Sequence, residues 1–196
     1  MFGAIKHGLV NLANFDGRDA RQTFWYYVLF VVILRFCAGL AVSIPMMGQA
    51  MRVGFSAAQN HADPAAMQGQ MFAAIASAMP TMMWLSIAVG VVTGLLLVAS
   101  LVRRLHDSGH SGWWVLLPIA IHAYVLAQSP AALHRAMAVM QQFSLRDGIA
   151  SNPAAMMQAQ GTMALLGWVP AILIIIAGVL GSTDGPNRFG DEPVRF

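Results

Sequence analysis

The sequence predicts an all-α, polytopic membrane protein: a bundle of four transmembrane helices, with an N-terminal interfacial helix and amphipathic helical outer connections. Composition is the first reason. Of the 196 residues, 58% are apolar and only 10% are charged, whereas soluble domains carry about 25% charged residues. So few charges cannot solvate a globular surface. Long apolar runs on both sides of one polar segment, residues 103–112, are the second reason.

Four apolar runs have the length of a membrane-spanning helix. They cover about residues 24–47, 80–102, 113–127 and 162–180. About 20 residues that rise about 1.5 Å each span a hydrocarbon core of about 30 Å. The third run is the shortest, and its end is the least defined. The whole chain, residues 1–196, is therefore predicted to form a single integral membrane domain.

The N-terminal segment has the pattern of a helix that lies on a membrane surface. Phe2, Ile5, Leu9 and Leu12 recur at helical spacing within residues 1–15. Such a stripe predicts an interfacial amphipathic helix. The alternative is a frayed terminus, since chain ends are often poorly ordered.

The basic residues predict the orientation of the chain. The long connections 48–79 and 128–161 are rich in Ala, Met and Gln, and both are expected to form amphipathic helix. Three arginines lie in these connections: Arg52, Arg135 and Arg146. Seven basic residues lie in the segments of the opposite side: Lys6, Arg18, Arg21, Arg103, Arg104, Arg188 and Arg195. The positive-inside rule therefore predicts that both termini and the central polar segment are cytoplasmic.

The central polar segment is predicted to be a tight turn between two helices. Gly109 can adopt the positive φ that a turn requires, and Ser111 can cap the helix that follows. Trp113 and Trp114 come directly after it. Paired tryptophans at such a position indicate the interfacial aromatic belt of a membrane.

Three polar motifs are expected on this cytoplasmic face. They are Gly17-Arg18-x-x-Arg21 with Trp25-Tyr26, Arg103-Arg104-Leu105-His106-Asp107 with Trp113-Trp114, and Pro186-Asn187-Arg188-Phe189-Gly190. In this order they resemble the domain-of-unknown-function family 805 of small bacterial inner-membrane proteins, with Asp191-Glu192-Pro193 in place of that family's closing Asp-Pro. The resemblance implies a protein of the bacterial inner (cytoplasmic) membrane whose biochemical activity is unknown. The outer connections are longer than is typical of the family, so the resemblance supports no function there.

The arginines of these motifs predict an anion-binding site. Guanidinium groups suit phosphate, and each basic group near an anionic leaflet contributes about 1 kcal/mol. An anionic phospholipid headgroup or a phosphorylated partner would fit. The alternative is a hairpin network in which Asp107, next to His106, accepts hydrogen bonds from arginines and turn amides. The five candidate anion-binding residues are Arg18, Arg21, Arg103, Arg104 and Arg188.

Arg35 is a charge inside the first apolar run. It lies eleven residues after Phe24, which is about 16 Å of helix and close to the midplane. Thr93 and His122 are expected at a similar depth, so Arg35 is predicted to face the bundle interior and bond one of them or a carbonyl freed by a proline. The alternative is that the helix shifts until Arg35 reaches an interface. Such an intramembrane polar layer supports a second functional hypothesis, a small transporter or pore.

Several other classes of function lack a motif in this sequence. No serine-nucleophile, P-loop or dinucleotide motif is present, and no enzyme activity or cofactor is predicted. His106 and His110 are four residues apart, but Gly109 between them indicates a turn rather than a helical metal pair. Cys37 is the only cysteine and allows no intrachain disulfide. No basic stripe suggests nucleic acid.

Two further hypotheses rest on composition and spacing. Thirteen of the fourteen methionines lie in residues 46–83 or 137–163. Because thioethers suit Cu(I), an outer copper site with Met67, Met71 and His61 is one hypothesis. The other concerns Gly90 and Gly94, whose GxxxG spacing lets a second helix approach closely. That helix belongs either to this chain or to a second copy in a homo-oligomer.

Overall fold

The computed structural model of the protein describes residues 1–60, 63–145 and 153–193. Within these ranges the chain is helical, and the only pairing of extended backbone is an isolated bridge between Asn187 and Gly190. The all-α prediction is therefore confirmed. The helices are α1 (Phe2–Val10), α2 (Arg21–Gln59), α3 (Pro64–Asp107), a 3-10 turn (Gly112–Val115), α4 (Leu116–Leu145) and α5 (Pro153–Val179).

Three of the described helices are long and apolar enough to cross a membrane. Their apolar spans are Arg21–Gln59, Ala66–Asp107 and Gly112–Ala138. The apolar part of α5 is shorter and covers Leu165–Val179. The chain thus has the helices of a multi-pass membrane protein, while the fourth spanning helix stays a prediction.

Helices α2 and α3 extend beyond the apolar runs that predict them. The first apolar run ends near residue 47 and the second begins near residue 80, but α2 continues to Gln59 and α3 begins at Pro64. Ala, Met and Gln in these extensions are strong helix formers, so the helix propagates past the apolar stretch. Pro64 suits the first helical position because no intrahelical partner is needed for its nitrogen there. The described part of this connection is therefore helical, as expected, but it extends the spanning helices.

Packing divides the chain into two compact units. The first contains Met1–Phe36, Gly90–Leu126 and Ala164–Phe196, and the second contains Cys37–Val89 and Ala127–Met163. All three polar motifs lie in the first unit. The buried apolar core of that unit consists of Phe24, Val28, Leu101, Val102, Leu105, Val115 and Ala177. The single membrane domain stays a prediction.

Helix α1 packs on the first unit through its smallest residues. Ala4 and Gly8 are buried, and a Cβ added at Gly8 would lie 2.4 Å from carbons of the Tyr27 ring. A larger residue at position 8 would therefore separate α1 from Tyr27. Phe2 on the outer side is 83% exposed, and Val10 is 74% exposed. The predicted helix is present, but it ends at Val10 rather than near residue 15.

A buried arginine–aspartate network as candidate functional site

The central polar segment forms a glycine-capped turn at the end of α3. Gly109 has φ 76°. The His110 amide donates to the Leu105 carbonyl at 2.9 Å, and the Gly109 amide donates to the His106 carbonyl at 3.0 Å. These two bonds form a Schellman motif, which satisfies carbonyls that a helix end leaves without a partner. Ser111 precedes the 3-10 turn, but its side chain makes no capping bond, so that predicted role is wrong.

Asp107, the last residue of α3, is the centre of the first half of the network. Its Oδ1 accepts from Arg18 Nη2 at 2.9 Å and from Arg18 Nε at 3.2 Å. Its Oδ2 accepts from Ser182 Oγ at 2.6 Å and from Arg104 Nη1. The side chains of Asp107, Arg18 and Arg104 are all 0% exposed. One carboxylate thus joins the N-terminal, central and C-terminal segments.

Arg18 has no capacity left for a ligand. Besides its two bonds to Asp107, it donates to the carbonyls of Thr183 at 2.7 Å, Gly185 at 2.6 Å and Gly190 at 3.4 Å. A guanidinium group has five N–H donors, and these five bonds use that number. Arg18 therefore fastens the C-terminal tail to the end of α3.

Asp19 is the centre of the second half of the network. Its carboxylate accepts from Arg103 Nε at 2.9 Å, from Ser100 Oγ at 2.8 Å and from His7 Nε2 at 3.0 Å. Arg103 also donates to the backbone carbonyls of Asn11, at 2.9 Å, and Asn14. The carboxylate and its partners therefore hold the segment after α1 against α3.

The charge of Asp19 is stabilised by its surroundings. Burial raises the pKa of this carboxyl, but hydrogen bonds from His7 and Arg103, the charge of Arg103 and the hydrogen bond from Ser100 outweigh burial. The pKa of Asp19 consequently lies below its ordinary value of 3.8. Asp19 is ionised at neutral pH, so its bond with Arg103 is an ion pair.

Backbone bonds tie the same three segments together. The Asp19 amide donates to the Arg103 carbonyl at 3.1 Å, and the Thr183 amide donates to the Asp107 carbonyl at 2.9 Å. Asn187 Nδ2 donates to the His106 carbonyl at 3.0 Å. The last carbonyls of a helix have no intrahelical partner. Here Thr183 supplies the partner of the Asp107 carbonyl, and Asp19 and Asn187 add donors to the carbonyls of Arg103 and His106.

His106 is held by a ring stack, a hydrogen bond and the close approach of the turn. Its ring stacks on Phe189, with centroids 3.9 Å apart and planes 3° apart. Its Nδ1 donates to the Gly17 carbonyl at 3.3 Å. A Cβ on Gly112 would lie 3.0 Å from His106 Nε2, so the turn approaches the ring closely. His106 thus belongs to the predicted hairpin network together with Asp107.

A comparison with known protein families covers nearly the whole chain. The model of a family described as a protein of unknown function (DUF805) matches residues 12–191. The chain belongs to the DUF805 family. The match covers all three motifs, which meet in the network described above. No curated protein and no solved structure matches the chain.

The five arginines proposed for anion binding divide into two groups in this DUF805 protein. Arg18, Arg103 and Arg104 are buried in the network. Arg21 and Arg188 are exposed. Arg21 Nη2 donates to the Leu180 carbonyl at 3.0 Å, and Arg188 lies over the Phe189 ring at 4.6 Å with Nη2 3.4 Å from the Gly109 carbonyl.

The buried network carries more positive than negative charge. Three buried guanidinium groups, those of Arg18, Arg103 and Arg104, face two buried carboxylates, so three minus two leaves an excess of one positive charge. Two buried nitrogens, Arg103 Nη2 and Arg104 Nε, have no hydrogen-bond partner. The excess charge lies close to the exposed Arg21, because Arg104 and Arg21 both donate to the Leu180 carbonyl.

The sequence analysis missed several members of the network, of which two could have been found from the local sequence. Asp19 follows Arg18 in the polar turn, and Ser100 precedes Arg103 by one helical turn, so both had a local signal. Ser182, Thr183 and the carbonyls of Asn11 and Asn14 had none. Their roles depend on how distant segments pack.

A cavity of about 460 Å³ adjoins the network. Arg18 and Asp107 are paired in its wall, and Arg21 and Trp25 line it from α2. The C-terminal tail contributes two carboxylates, Asp184 and Glu192. With Arg21 facing two carboxylates, the cavity itself does not favour an anion.

The predicted polar layer forms a chain of hydrogen bonds. Arg35 Nη1 donates to Thr93 Oγ1 at 3.0 Å, and Thr93 Oγ1 donates to the Gly90 carbonyl at 3.3 Å. His122 Nε2 donates to the same carbonyl at 3.2 Å. Thr93 is buried, but Arg35 is exposed. Arg35 thus bonds Thr93, one of its predicted acceptors, but it is exposed rather than enclosed by the helices of this unit.

The GxxxG face of α3 packs against α4 of the same chain. A Cβ on Gly90 would lie 3.2 Å from Leu126 Cδ2, and one on Gly94 would lie 3.6 Å from His122 Cδ2. The absence of side chains at Gly90 and Gly94 thus lets the His122 ring of the same chain pack close to α3. Homo-oligomer formation stays a prediction.

The copper hypothesis stays a prediction as well. Met67 and Met71 are both partly buried on α3, and His61 lies outside the described residues. Among the residues the structure describes, no group of three or more His, Cys, Asp or Glu side chains is placed to hold a metal ion.

Proposed function

We propose that this protein is a four-helix protein of the bacterial inner membrane whose arginine-rich cytoplasmic end binds anionic lipid headgroups. The observation that carries this proposal is the position of Arg21. Its exposed guanidinium lies beside a network in which three buried arginines face two buried carboxylates. Asp184 and Glu192 line the cavity beside Arg21, so we expect the anion outside this cavity, on the membrane side of Arg21, where the positive charges of Arg21 and of the network attract it.

The buried arginines have a structural part in this proposal. Arg18, Arg103 and Arg104 hold the two chain ends on the end of α3, and headgroup contact is assigned to Arg21 and Arg188. The exposed Lys6 on α1 adds a third cation. Each basic group near an anionic leaflet contributes about 1 kcal/mol, which is about a fivefold change in affinity.

Exposed apolar residues at the same end of the unit fit a membrane surface. Trp113 is 77% exposed and Trp114 is 62% exposed, and both follow directly on the turn that closes the network. The exposed Phe2 and Val10 lie on α1, which the network holds through His7. Tryptophan prefers the headgroup region, and an in-plane helix buries apolar side chains there.

Lipid binding can be tested by native mass spectrometry after reconstitution with phosphatidylglycerol and phosphatidylcholine. We expect the double variant Arg21→Gln, Arg188→Gln to lose retained phosphatidylglycerol about 25-fold, at about fivefold for each arginine. The matched control is Arg52→Gln with Arg135→Gln, two exposed arginines of the other unit. Equal phosphatidylglycerol retention by both double variants would refute the proposal. Binding of a soluble phosphopeptide without lipid would instead favour a phosphorylated partner.

Orientation has a separate test. In a Cys37→Ala background, we expect a cysteine at the exposed Asp184 to react with an impermeant reagent only after the cells are opened. A cysteine at the exposed Asn60 is expected to react in intact cells. The reverse pattern would place the arginine-rich end outside the cytoplasm.

A small transporter or pore is the second candidate function. The chain of hydrogen bonds from Arg35 through Thr93 and Gly90 to His122 favours it, since transport paths are lined by polar groups within the membrane. Solute flux in liposomes that an Arg35→Leu variant abolishes would support this candidate.

A further inference from the structure

Arg35 is an exposed charge on the apolar surface of α2. Val32 and Phe36 beside it are 54% and 66% exposed, and the α2 segment around them is part of the apolar span Arg21–Gln59. Arg35 lies eleven residues from Phe24 and twelve from Met47, the predicted ends of the apolar run, or about 16 and 18 Å along the helix. These distances exceed the length of its side chain, so snorkelling to a headgroup cannot satisfy it.

The hydrogen bond from Arg35 to Thr93 does not neutralise the guanidinium. Thr93 Oγ1 is a neutral acceptor that is already engaged with the Gly90 carbonyl. An arginine at the centre of a spanning helix is costly to insert into the membrane. A carboxylate would remove much of this cost, because charge-assisted hydrogen bonds are about twice as strong as neutral ones.

In the part of the chain that the structure describes, no carboxylate is bonded to Arg35. Asp19 and Asp107 are committed to buried arginines at one end of the first unit. The remaining acidic residues all lie outside the apolar runs: Asp16, Asp63, Asp147, Asp184, Asp191 and Glu192. A second copy would bring the same set, and a symmetric contact on this surface would place Arg35 against Arg35. A carboxylate for Arg35 is therefore expected from a different protein.

We propose that the Arg35 face of α2 docks a transmembrane helix of another protein that carries an Asp or Glu near its middle. The partner carboxylate accepts from the guanidinium nitrogens that Thr93 does not engage, and the exposed Val32 and Phe36 pack against the partner's apolar side chains. The interaction does not depend on lipid binding at Arg21 and Arg188. It uses Arg35, in the middle of the apolar part of α2, whereas lipid binding is assigned to residues at the arginine-rich end of the unit.

The test uses a synthetic transmembrane peptide of leucine and alanine with a central Asp. Energy transfer is measured in bicelles between this peptide and the protein labelled at Asn60→Cys in the Cys37→Ala background. We expect the Asp peptide to associate at least tenfold more tightly than the same peptide with central Leu. Arg35→Leu should abolish the difference between the peptides, and Arg35→Lys should retain part of it. Arg52→Leu, on the same helix, should leave it unchanged.

Three results would overturn the proposal. The first is equal association of the Asp and Leu peptides with the unsubstituted protein, which needs no variant to fold. The second is self-association of the protein that Arg35→Leu abolishes, which would assign the surface to a second copy. The third is a preference for the Asp peptide that persists in the Arg35→Leu variant, provided that the melting temperature of this variant equals that of the unsubstituted protein and so shows that it is folded.

Discussion

The arginines at the end of α3 and Arg35 in the middle of α2 are satisfied in different ways. Arg18 and Arg104 are fully buried, and each is paired with Asp107. Arg35 is exposed and bonds a neutral threonine. The contrast separates two roles for arginine in one apolar chain. Where the chain supplies a carboxylate, the arginine stabilises the fold. Arg35 has no such partner in the described residues, and its charge is the group that we propose a partner helix binds.

The difference also follows from where each arginine lies in the sequence. The three motifs are joined by direct bonds, because Arg18 donates to Asp107 and to the Gly190 carbonyl, and Asn187 donates to the His106 carbonyl. Such a network holds both chain ends near the turn after α3. No acidic residue of the sequence lies within the apolar run that contains Arg35.

Removing Asp107 should have the largest effect on stability. Asp107→Ala leaves Arg18 and Arg104 buried without their carboxylate, and loss of one partner of a buried ion pair costs about 3–5 kcal/mol. We expect a large drop in the melting temperature measured in detergent. Asp184→Asn is the control, because Asp184 is exposed. A drop of the same size in the control would contradict the central position of Asp107.

Asp19 should make stability depend on acid pH. Its pKa is lowered in the folded protein, so its contribution is complete above the ordinary value of 3.8 and is lost as pH falls through the folded value. At neutral pH, Asp19→Asn should cost about 1–3 kcal/mol because Arg103 loses its charged acceptor.

Melting temperatures measured over a range of pH test whether the contribution of Asp19 to stability is lost as pH falls. Melting temperatures of the protein and of Asp19→Asn should converge as pH falls below 3.8, whereas Asp16→Asn, at an exposed position, should parallel the unsubstituted protein throughout. A constant gap between the protein and Asp19→Asn at every pH would show that ionisation of Asp19 does not contribute.

Thr93→Val should have the smallest effect. A hydrogen bond between side chains inside a membrane contributes about 0.6 kcal/mol on average, and Arg35 keeps its exposed position without it. We expect little change in melting temperature and an unchanged preference for the Asp peptide. A loss of several degrees would mean that Thr93 holds Arg35 in the fold, and the contrast between the two kinds of arginine would weaken.

The all-α fold could be predicted from the apolar runs because three of the four runs coincide with long apolar helices. Helix limits could not be predicted in the same way. Residues 48–59 are helical through the intrinsic preference of Ala, Met and Gln, which continues α2 past its apolar part. Hydropathy therefore located the helices but not the end of α2.

The candidate site could be predicted only at the level of motifs. The basic residues indicated that Arg18, Arg104 and Arg188 lie on one side of the membrane, and the structure places all three in one unit. Which of them are buried depends on pairing with Asp107, an arrangement created by contacts across 89 residues. Local spacing carries no signal for such contacts. The exposure of Arg188 and the burial of Arg18 were therefore not predictable.

The most direct test of the account is a double-mutant cycle between Arg18 and Asp107. Free energies of unfolding are measured in mixed micelles for the protein, Arg18→Met, Asp107→Ala and the double variant. If the N-terminal and central motifs meet in one buried network, the cycle should give a coupling of about 1–3 kcal/mol. A parallel cycle between the exposed Arg188 and Asp107 should be additive within about 0.5 kcal/mol. Additive effects for Arg18 and Asp107 would contradict the network.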